Sequence, residues 1–303
     1  MGDYAAFLSF QYKPIDNIII QPAMRLICNT RYDAPIIPSL NLKWNINEQL
    51  ILRLSYARGF RSPSLKELFF NFVDINHNIR GRSDLKAEKS HSINAIFTYQ
   101  IQSDDFLMKF EPRFFFNNID DLITLAAVRK DEFSYLNIGQ YKTLGGDFNF
   151  SFFSSNLTLN SGVSYIGRYN KPEDYLMPEE DFSFSPEFKT NIIYDLKSLD
   201  VKLSLFYKYT GKQPGFTLNA DRKPLKYFID DYHTLDFTLS YNFKLEFFQN
   251  LSFNFLTGGK NLLNVTNINQ SAPSIEGFHS SGSTILPIAW GRTFFASLKI
   301  IFE

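Results

Sequence analysis

Residues Phe106–Asn117 read FLMKFEPRFFFN, and their alternation decides the fold class. Phe106, Met108, Phe110, Pro112, Phe114 and Phe116 fall on one face of an extended chain. Leu107, Lys109, Glu111, Arg113, Phe115 and Asn117 fall on the other, which is mostly charged or polar. A period of two is the signature of a strand, because successive side chains point to opposite faces. Leu235 to Leu245 repeats the pattern, with Leu235, Phe237, Leu239, Tyr241, Phe243 and Leu245 against Asp236, Thr238, Ser240, Asn242 and Lys244. So does the end of the chain, with Phe294, Ala296, Leu298, Ile300 and Phe302 against Thr293, Phe295, Ser297, Lys299 and Ile301.

Working outward from these stretches, the same alternation predicts thirteen strands, at about 3–12, 17–30, 35–46, 49–58, 88–101, 105–125, 134–153, 156–168, 183–196, 199–211, 229–245, 250–262 and 289–302. Short polar turns alternate with longer loops at 59–87, 126–133, 169–182, 212–228 and 263–288; the connection near Arg31–Ala34 is the one short member of the second set. One end of the molecule therefore has tight turns and the other has large loops. A transmembrane antiparallel β-barrel sorts its connections this way. Strands of this length span a hydrocarbon layer when tilted. A water-facing lumen also accepts mid-strand Lys109, Glu111, Arg113, Asp236 and Lys244, which a dry sandwich core would not. The alternative is a soluble all-β protein with solvated charged faces, which would need a very large core to cover so much Phe.

The totals narrow the functions. Lys+Arg 31 balance Asp+Glu 31, which gives no support to nucleic-acid binding. With one cysteine, Cys28, neither an intrachain disulfide nor a multi-cysteine metal site can form. Cys28 lies on the apolar face of its strand with Ile18, Ile20, Met24 and Leu26. No run of about 18 apolar residues is present, so a transmembrane helix is not expected. The N-terminus lacks a basic segment followed by an apolar one and alternates from Tyr4 onward. Either the mature chain starts there or the stretch continues something longer.

Parity supports the second choice. An odd number of strands places the two ends of the chain on opposite sides, whereas a closed single-chain bacterial barrel has an even number. Thirteen strands also leave two edges that a bilayer does not tolerate unpaired. Residues 1–303 are therefore expected to be part of a larger barrel.

The stretch Leu54-Ser-Tyr-Ala-Arg-Gly-Phe-Arg-Ser-Pro-Ser-Leu-Lys-Glu-Leu68 begins as a strand, breaks at Gly59 and opens a long irregular loop. Together with Asp84-Leu-Lys-Ala-Glu-Lys-Ser90, Lys260-Asn-Leu-Leu-Asn264 and the ending Gly291-Arg-Thr-Phe-Phe-Ala-Ser-Leu-Lys-Ile-Ile-Phe302, it resembles the C-terminal barrel region of TonB-dependent outer-membrane receptors. The resemblance covers essentially the whole chain. It implies the last thirteen strands of a 22-stranded plugged barrel in the bacterial outer membrane, without the plug domain and the first strands. It further implies active uptake of a scarce nutrient, most readily an iron chelate or haem, powered by TonB–ExbB–ExbD through the plug. Other implied partners are the outer-membrane assembly machinery, lipid and lipopolysaccharide, and a surface lipoprotein. A passive porin-like channel or a surface adhesin on a similar barrel is the alternative reading.

Within this resemblance, Gly59, Phe60, Arg61, Pro63, Glu67, Asp84 and Leu85 form the family motif at the loop base, and Gly291, Phe294, Ile300 and Phe302 the C-terminal assembly signal. Phe60-Arg-Ser-Pro63 and Arg82-Ser-Asp-Leu85 occupy the places of two haem-receptor motifs flanking a histidine, here His77. The sequence departs from those motifs at Ser62 and at Arg82-Ser83. A loop imidazole can ligate haem iron, so His77, with His279 and Arg80, is the candidate ligand-binding set. The competing reading makes Arg61, Pro63 and Glu67 shapers of the strand exit and both histidines solvated loop residues. His91 and His233 read as interface residues. Tyr169, Tyr175, Phe216, Tyr227 and Phe228 either stack on a planar ligand or form the aromatic girdle at the membrane rim. No intrinsic cofactor or metal is implied, and no hydrolase, metalloprotease or phosphate-loop motif is present, so the chain does not read as an enzyme.

Overall fold

The computed structural model describes residues 2–75, 78–129, 132–171, 182–218, 224–245, 247, 250–271 and 285–302. Thirteen long strands follow one another through a single antiparallel sheet. They are β1 Asp3–Ser9, β2 Ile18–Asn29, β3 Ile37–Asn45, β4 Leu50–Arg61, β5 Glu88–Gln102, β6 Phe106–Arg129 and β7 Glu132–Ser154. The series continues with β8 Leu157–Lys171, β9 Ser183–Leu196, β10 Val201–Thr210, β11 Tyr232–Lys244, β12 Leu251–Lys260 and β13 Thr293–Phe302. Each pairs with its neighbours in sequence, and three short strands complete a sheet of sixteen.

Register carries the alternation of each strand into a continuous two-sided wall. Phe114 stands opposite Ala95 and Gly146, and Phe110 opposite Tyr99 and Phe150, so the apolar faces of β5, β6 and β7 coincide. Leu239 links Leu203 to Thr257, and Phe255 links Tyr241 to Leu298, which extends that face to β13. The other face collects Arg53, Thr98, Glu111, Asn149 and Lys189, tied by ion pairs such as Lys109–Glu111 at 2.5 Å and Arg113–Asp147 at 3.5 Å. From Phe106 to Phe116 is ten steps; at about 3.4 Å each and a tilt of about 45° they rise about 24 Å. That matches an apolar band about 25 Å tall.

The apolar face is exposed, with Phe114 57%, Tyr165 55% and Leu298 56% accessible. Buried hydrophobics among the described residues are few: Leu68 and Leu85 lie in the loop after β4 and cover Ile123 of β6, and Ile268 lies between β12 and β13, whereas a soluble sandwich would bury one whole sheet face. The soluble all-β alternative is therefore overturned. β1 and β13 each have one long-strand neighbour among the described residues.

The structure corrects the sequence reading at the loops. β6 and β7 run on to Arg129 and from Glu132, so the expected loop at 126–133 shrinks to its tip. Between β10 and β11, Gln213–Leu218 pairs with Pro224–Ile229, and Asn267–Asn269 pairs with Ile285–Pro287 before β13. β1 ends at Ser9, with Tyr12–Ile15 as a separate short strand beside β2 across a register shift. Most consequential, 59–87 is not irregular. It holds a helix, α1 Leu65–Phe69, and a hairpin of Asn71–Val73 with Asn78–Arg80.

Candidate functional site

The loop base is built from its own chemistry upward. Ser64-Leu-Lys-Glu67 forms a capping box: the Ser64 hydroxyl accepts from the Glu67 amide at 3.2 Å, and the Glu67 carboxylate accepts from the Ser64 amide at 2.7 Å. Two donors at the start of α1 are thereby satisfied, so five residues of helix hold without a long helical run. Arg61, at the end of β4, then joins the helix to the wall. Its Nε donates to Glu88 at 2.7 Å, and its Nη1 donates to both Glu67 oxygens at 3.0 Å. Glu88 opens β5 directly opposite Arg61 and also accepts the Ile123 amide at 2.7 Å. The Glu67 and Glu88 side chains are almost enclosed, whereas Arg61 is half exposed.

Electrostatics follow from this geometry. The hydrogen bond to Glu88, assisted by Glu67, raises the Arg61 pKa against the opposing effect of burial, so its charge is permanent. Burial works to raise the Glu67 pKa, but the Ser64 hydrogen bonds and Arg61 outweigh it and hold the carboxyl below the ordinary glutamate value. Arg82 grips Asp84 at 2.6 and 2.9 Å and lowers that carboxyl too.

Apolar packing closes the structure from beneath. Leu68 and Leu85 pack on Ile123 of β6, with Tyr135 of β7 against them, and Pro63 is fully buried. Asn137 of β7 accepts from the Lys86 amide at 2.8 Å and donates to the carbonyls of Lys86 and Asp121. Ile79 and Arg80 pair in parallel with Phe133 and Ser134, so the hairpin becomes an extra strand on β7. At Gly81 an added Cβ would lie 2.6 Å from the backbone nitrogens of Phe69 and Phe70, and only glycine allows that approach.

The structure thus brings together Arg61, Pro63, Glu67 and Leu85 of the predicted motif. Gly59 faces Ser90 in the β4–β5 ladder, Phe60 pairs with Lys89 on the outward face, and Asp84 is engaged by Arg82. Arg80 is exposed, and its Nε donates to Asn78 at 3.1 Å. His77 and His279 lie outside the described residues. Among the aromatics weighed as a girdle, Tyr169 is buried and Phe228 is exposed; Tyr175 lies outside the described residues. His91 and His233 pair with the tyrosines Tyr56 at 2.9 Å and Tyr207 at 2.6 Å. Sequence reasoning missed Ser64, Gly81, Glu88, Ile123 and Asn137. The Ser-x-x-Glu spacing was a readable signal for the first; the others needed the partner strand.

A second anchored segment lies after β12. Asn261 and Asn264 take left-handed backbone angles, φ 52° and 58°. The Asn261 amide donates to Asp236 at 2.7 Å and its side chain bonds both backbone groups of Val265. Asn264 accepts from the Arg292 amide at 3.3 Å, beside Gly291 at φ 93°. Phe294, Ile300 and Phe302 then face outward opposite Gly259, Phe253 and Leu251.

A family model described as TonB dependent receptor-like, beta-barrel, matches residues 2–262. The chain belongs to the TonB-dependent receptor β-barrel family. It is an outer-membrane β-barrel, and the match does not favour the porin or adhesin alternative. No curated protein sequence matches significantly. Among solved structures, the ferric enterobactin receptor of Pseudomonas aeruginosa in complex with enterobactin is 17% identical, with a TM-score of 0.64 over 98% of this chain and 45% of that one. The siderophore receptor PirA of Acinetobacter baumannii is 16% identical, TM-score 0.66, over 98% and 45%. The FrpB iron transporter of Neisseria meningitidis is 16% identical, TM-score 0.66, over 98% and 44%. This TonB-dependent receptor barrel therefore spans less than half the length of those structures.

Proposed function

We propose that the chain is the C-terminal part of a 22-stranded plugged barrel that imports a ferric chelate, with energy delivered by TonB–ExbB–ExbD through a plug domain carried elsewhere in the receptor. The family match carries this reading. Supporting it, the proteins of similar fold are a ferric enterobactin receptor, a siderophore receptor and an iron transporter. The described parts of the loop, 59–75 and 78–87, supply a preordered platform at the barrel mouth, held by the Arg61–Glu67–Glu88 clamp. Preordering lowers the entropy lost when a ligand is captured.

Uptake of radiolabelled ferric chelate by cells carrying the complete receptor tests it. Expected uptake stops when the proton gradient is collapsed or TonB is deleted; uptake that persists at the same rate makes the barrel a passive channel. Haem is the second form of the proposal, with His77 as iron ligand and His279 and Arg80 beside it. A Soret shift that survives His77→Ala unchanged removes His77 from that role.

A further inference from the structure

The inner face of the wall carries a polar row at its long-loop end. Register sets Ser92, Asn117, Thr143, Arg168 and Ser183 side by side across β5 to β9. Hydrogen bonds join the first three: Ser92 donates to Asn117 at 2.7 Å, and Asn117 donates to Thr143 at 3.0 Å. Beyond Thr143 the pairing stops. Among the described residues, seven buried side-chain nitrogen or oxygen atoms lack a hydrogen-bond partner, and four of them lie on the inner ends of β8 to β10. They are Arg168 Nη1, Asn170 Oδ1, Ser183 Oγ and Thr210 Oγ1. Buried polar groups are normally paired, so such a cluster calls for an occupant.

We propose that Arg168, Ser183 and Asn170 form a subsite on the inner wall for a carboxylate of the imported ferric chelate. The assignment rests on the import reading above and narrows it to carboxylate-bearing chelates. Arg168 and Ser183 stand directly opposite each other, with Cβ atoms about 5 Å apart. Asn170 follows Arg168 on the same face, about 7 Å along the strand. A guanidinium N–H and a hydroxyl side by side supply the two donors that one carboxylate takes. The Asn170 oxygen accepts, so it suits a hydroxyl or N–H next to that carboxylate. Arg168 has no ion pair among the described residues. Asp147 and Glu187, which flank Ser164 further down the inner face, are already engaged by Arg113 at 3.5 Å and Lys208 at 3.9 Å.

The next segment of the chain encloses this niche. After β10 the Gly211 amide donates to the Pro186 carbonyl at 2.8 Å, and the Gly211 carbonyl accepts from the Ser185 hydroxyl of the inner face at 3.3 Å. Gln213–Leu218 then packs against β9 and reaches β6, passing β8 and β7 between them. Ser183, Ser185 and Thr210 are almost fully buried although they face the lumen. Arg168 and Asn170 are only half-buried, so the niche stays open on the lumen side. With water largely excluded, a charge-assisted pair to Arg168 is stronger than on an open surface.

The test uses the complete receptor in detergent and equilibrium dialysis against two chelates, ferric citrate, which carries carboxylates, and a ferric tris-catecholate, which carries none. Each variant is compared at equal amounts of heat-resistant folded barrel, so misfolded receptor is not counted. Arg168→Gln is expected to weaken ferric citrate binding about 30-fold, the worth of one hydrogen bond to a charged group, and to leave the tris-catecholate unchanged. Ser183→Ala removes the second donor and weakens ferric citrate about 5-fold. Lys189→Gln removes an inner cation about 20 Å further down β9 and leaves both chelates unchanged. The proposal is overturned if ferric citrate does not bind the unaltered receptor, or if Lys189→Gln loses as much as Arg168→Gln. It is also overturned if Arg168→Gln weakens both chelates equally, as a carboxylate of the receptor's own plug in the niche would require. The import reading fails separately, by uptake that ignores TonB, and the citrate titrations still decide the niche in that case.

Discussion

At the residue scale, the motif positions of this barrel act as anchors. Arg61 bridges two nearly enclosed carboxylates, so Arg61→Ala leaves both without their cation. Removing one partner of a buried pair costs about 3–5 kcal/mol, and the exposure of Arg61 lowers that to about 2. The expected outcome is faster hydrogen exchange at α1 and at Asn78–Arg80 with the barrel strands unaffected, measured by mass spectrometry on the complete receptor. Gly81→Ala is expected to act in the same place by a different route. Its Cβ meets backbone atoms at 2.6 Å, so α1 and the hairpin must separate. Protease cleavage within 64–85 should appear in this variant and not in Gly2→Ala, where the nearest atoms are ordinary contacts at 3.7 Å. Asn261→Ala should likewise loosen the segment after β12, because it removes two side-chain hydrogen bonds to the Val265 backbone and a residue type suited to φ 52°.

At the element scale, α1 depends on ionised Glu67. Its folded-state pKa is lowered, so its contribution is fully present above the ordinary glutamate value of about 4.3 and is lost as pH falls through the lowered one. The exchange protection of α1 should therefore exceed that of Glu67→Gln at pH 7, with the difference shrinking below about pH 4. If the two chains differ equally at pH 3 and pH 7, the carboxylate is not what holds the cap. The strands themselves were legible in sequence, because alternation is local and thirteen predicted segments map one-to-one onto the long strands. The loop was not. Its Ser64–Glu67 box is a four-residue signal, but its docking rests on Ile123, Tyr135 and Asn137, which no spacing within 59–87 indicates.

At the scale of the whole molecule, the open sheet sets the expectation. β1 is exposed along its whole length and β13 nearly so, with Phe7 84% and Phe302 82% accessible. Unpaired strand edges are not tolerated in hydrocarbon. These thirteen strands refolded alone in detergent are thus expected to lack the heat-resistant compact band of a closed barrel on gels, while the complete receptor shows it. A compact band from the thirteen strands alone would mean that β1 and β13 pair with each other.

The sequence by itself determined the strands, the two faces of the wall and the end that carries the large loops. Those features follow from side-chain period and turn chemistry within a few residues. The tertiary structure decided what the motif at the loop base touches. Arg61 meets Glu88 across 27 positions, and Glu88 meets Ile123 across 35. Such contacts exist only once neighbouring strands are in register, since register alone places distant residues on the same face at the same height. It likewise lined up Thr143, Arg168 and Ser183 on one inward row, although nothing in their sequence spacing relates them.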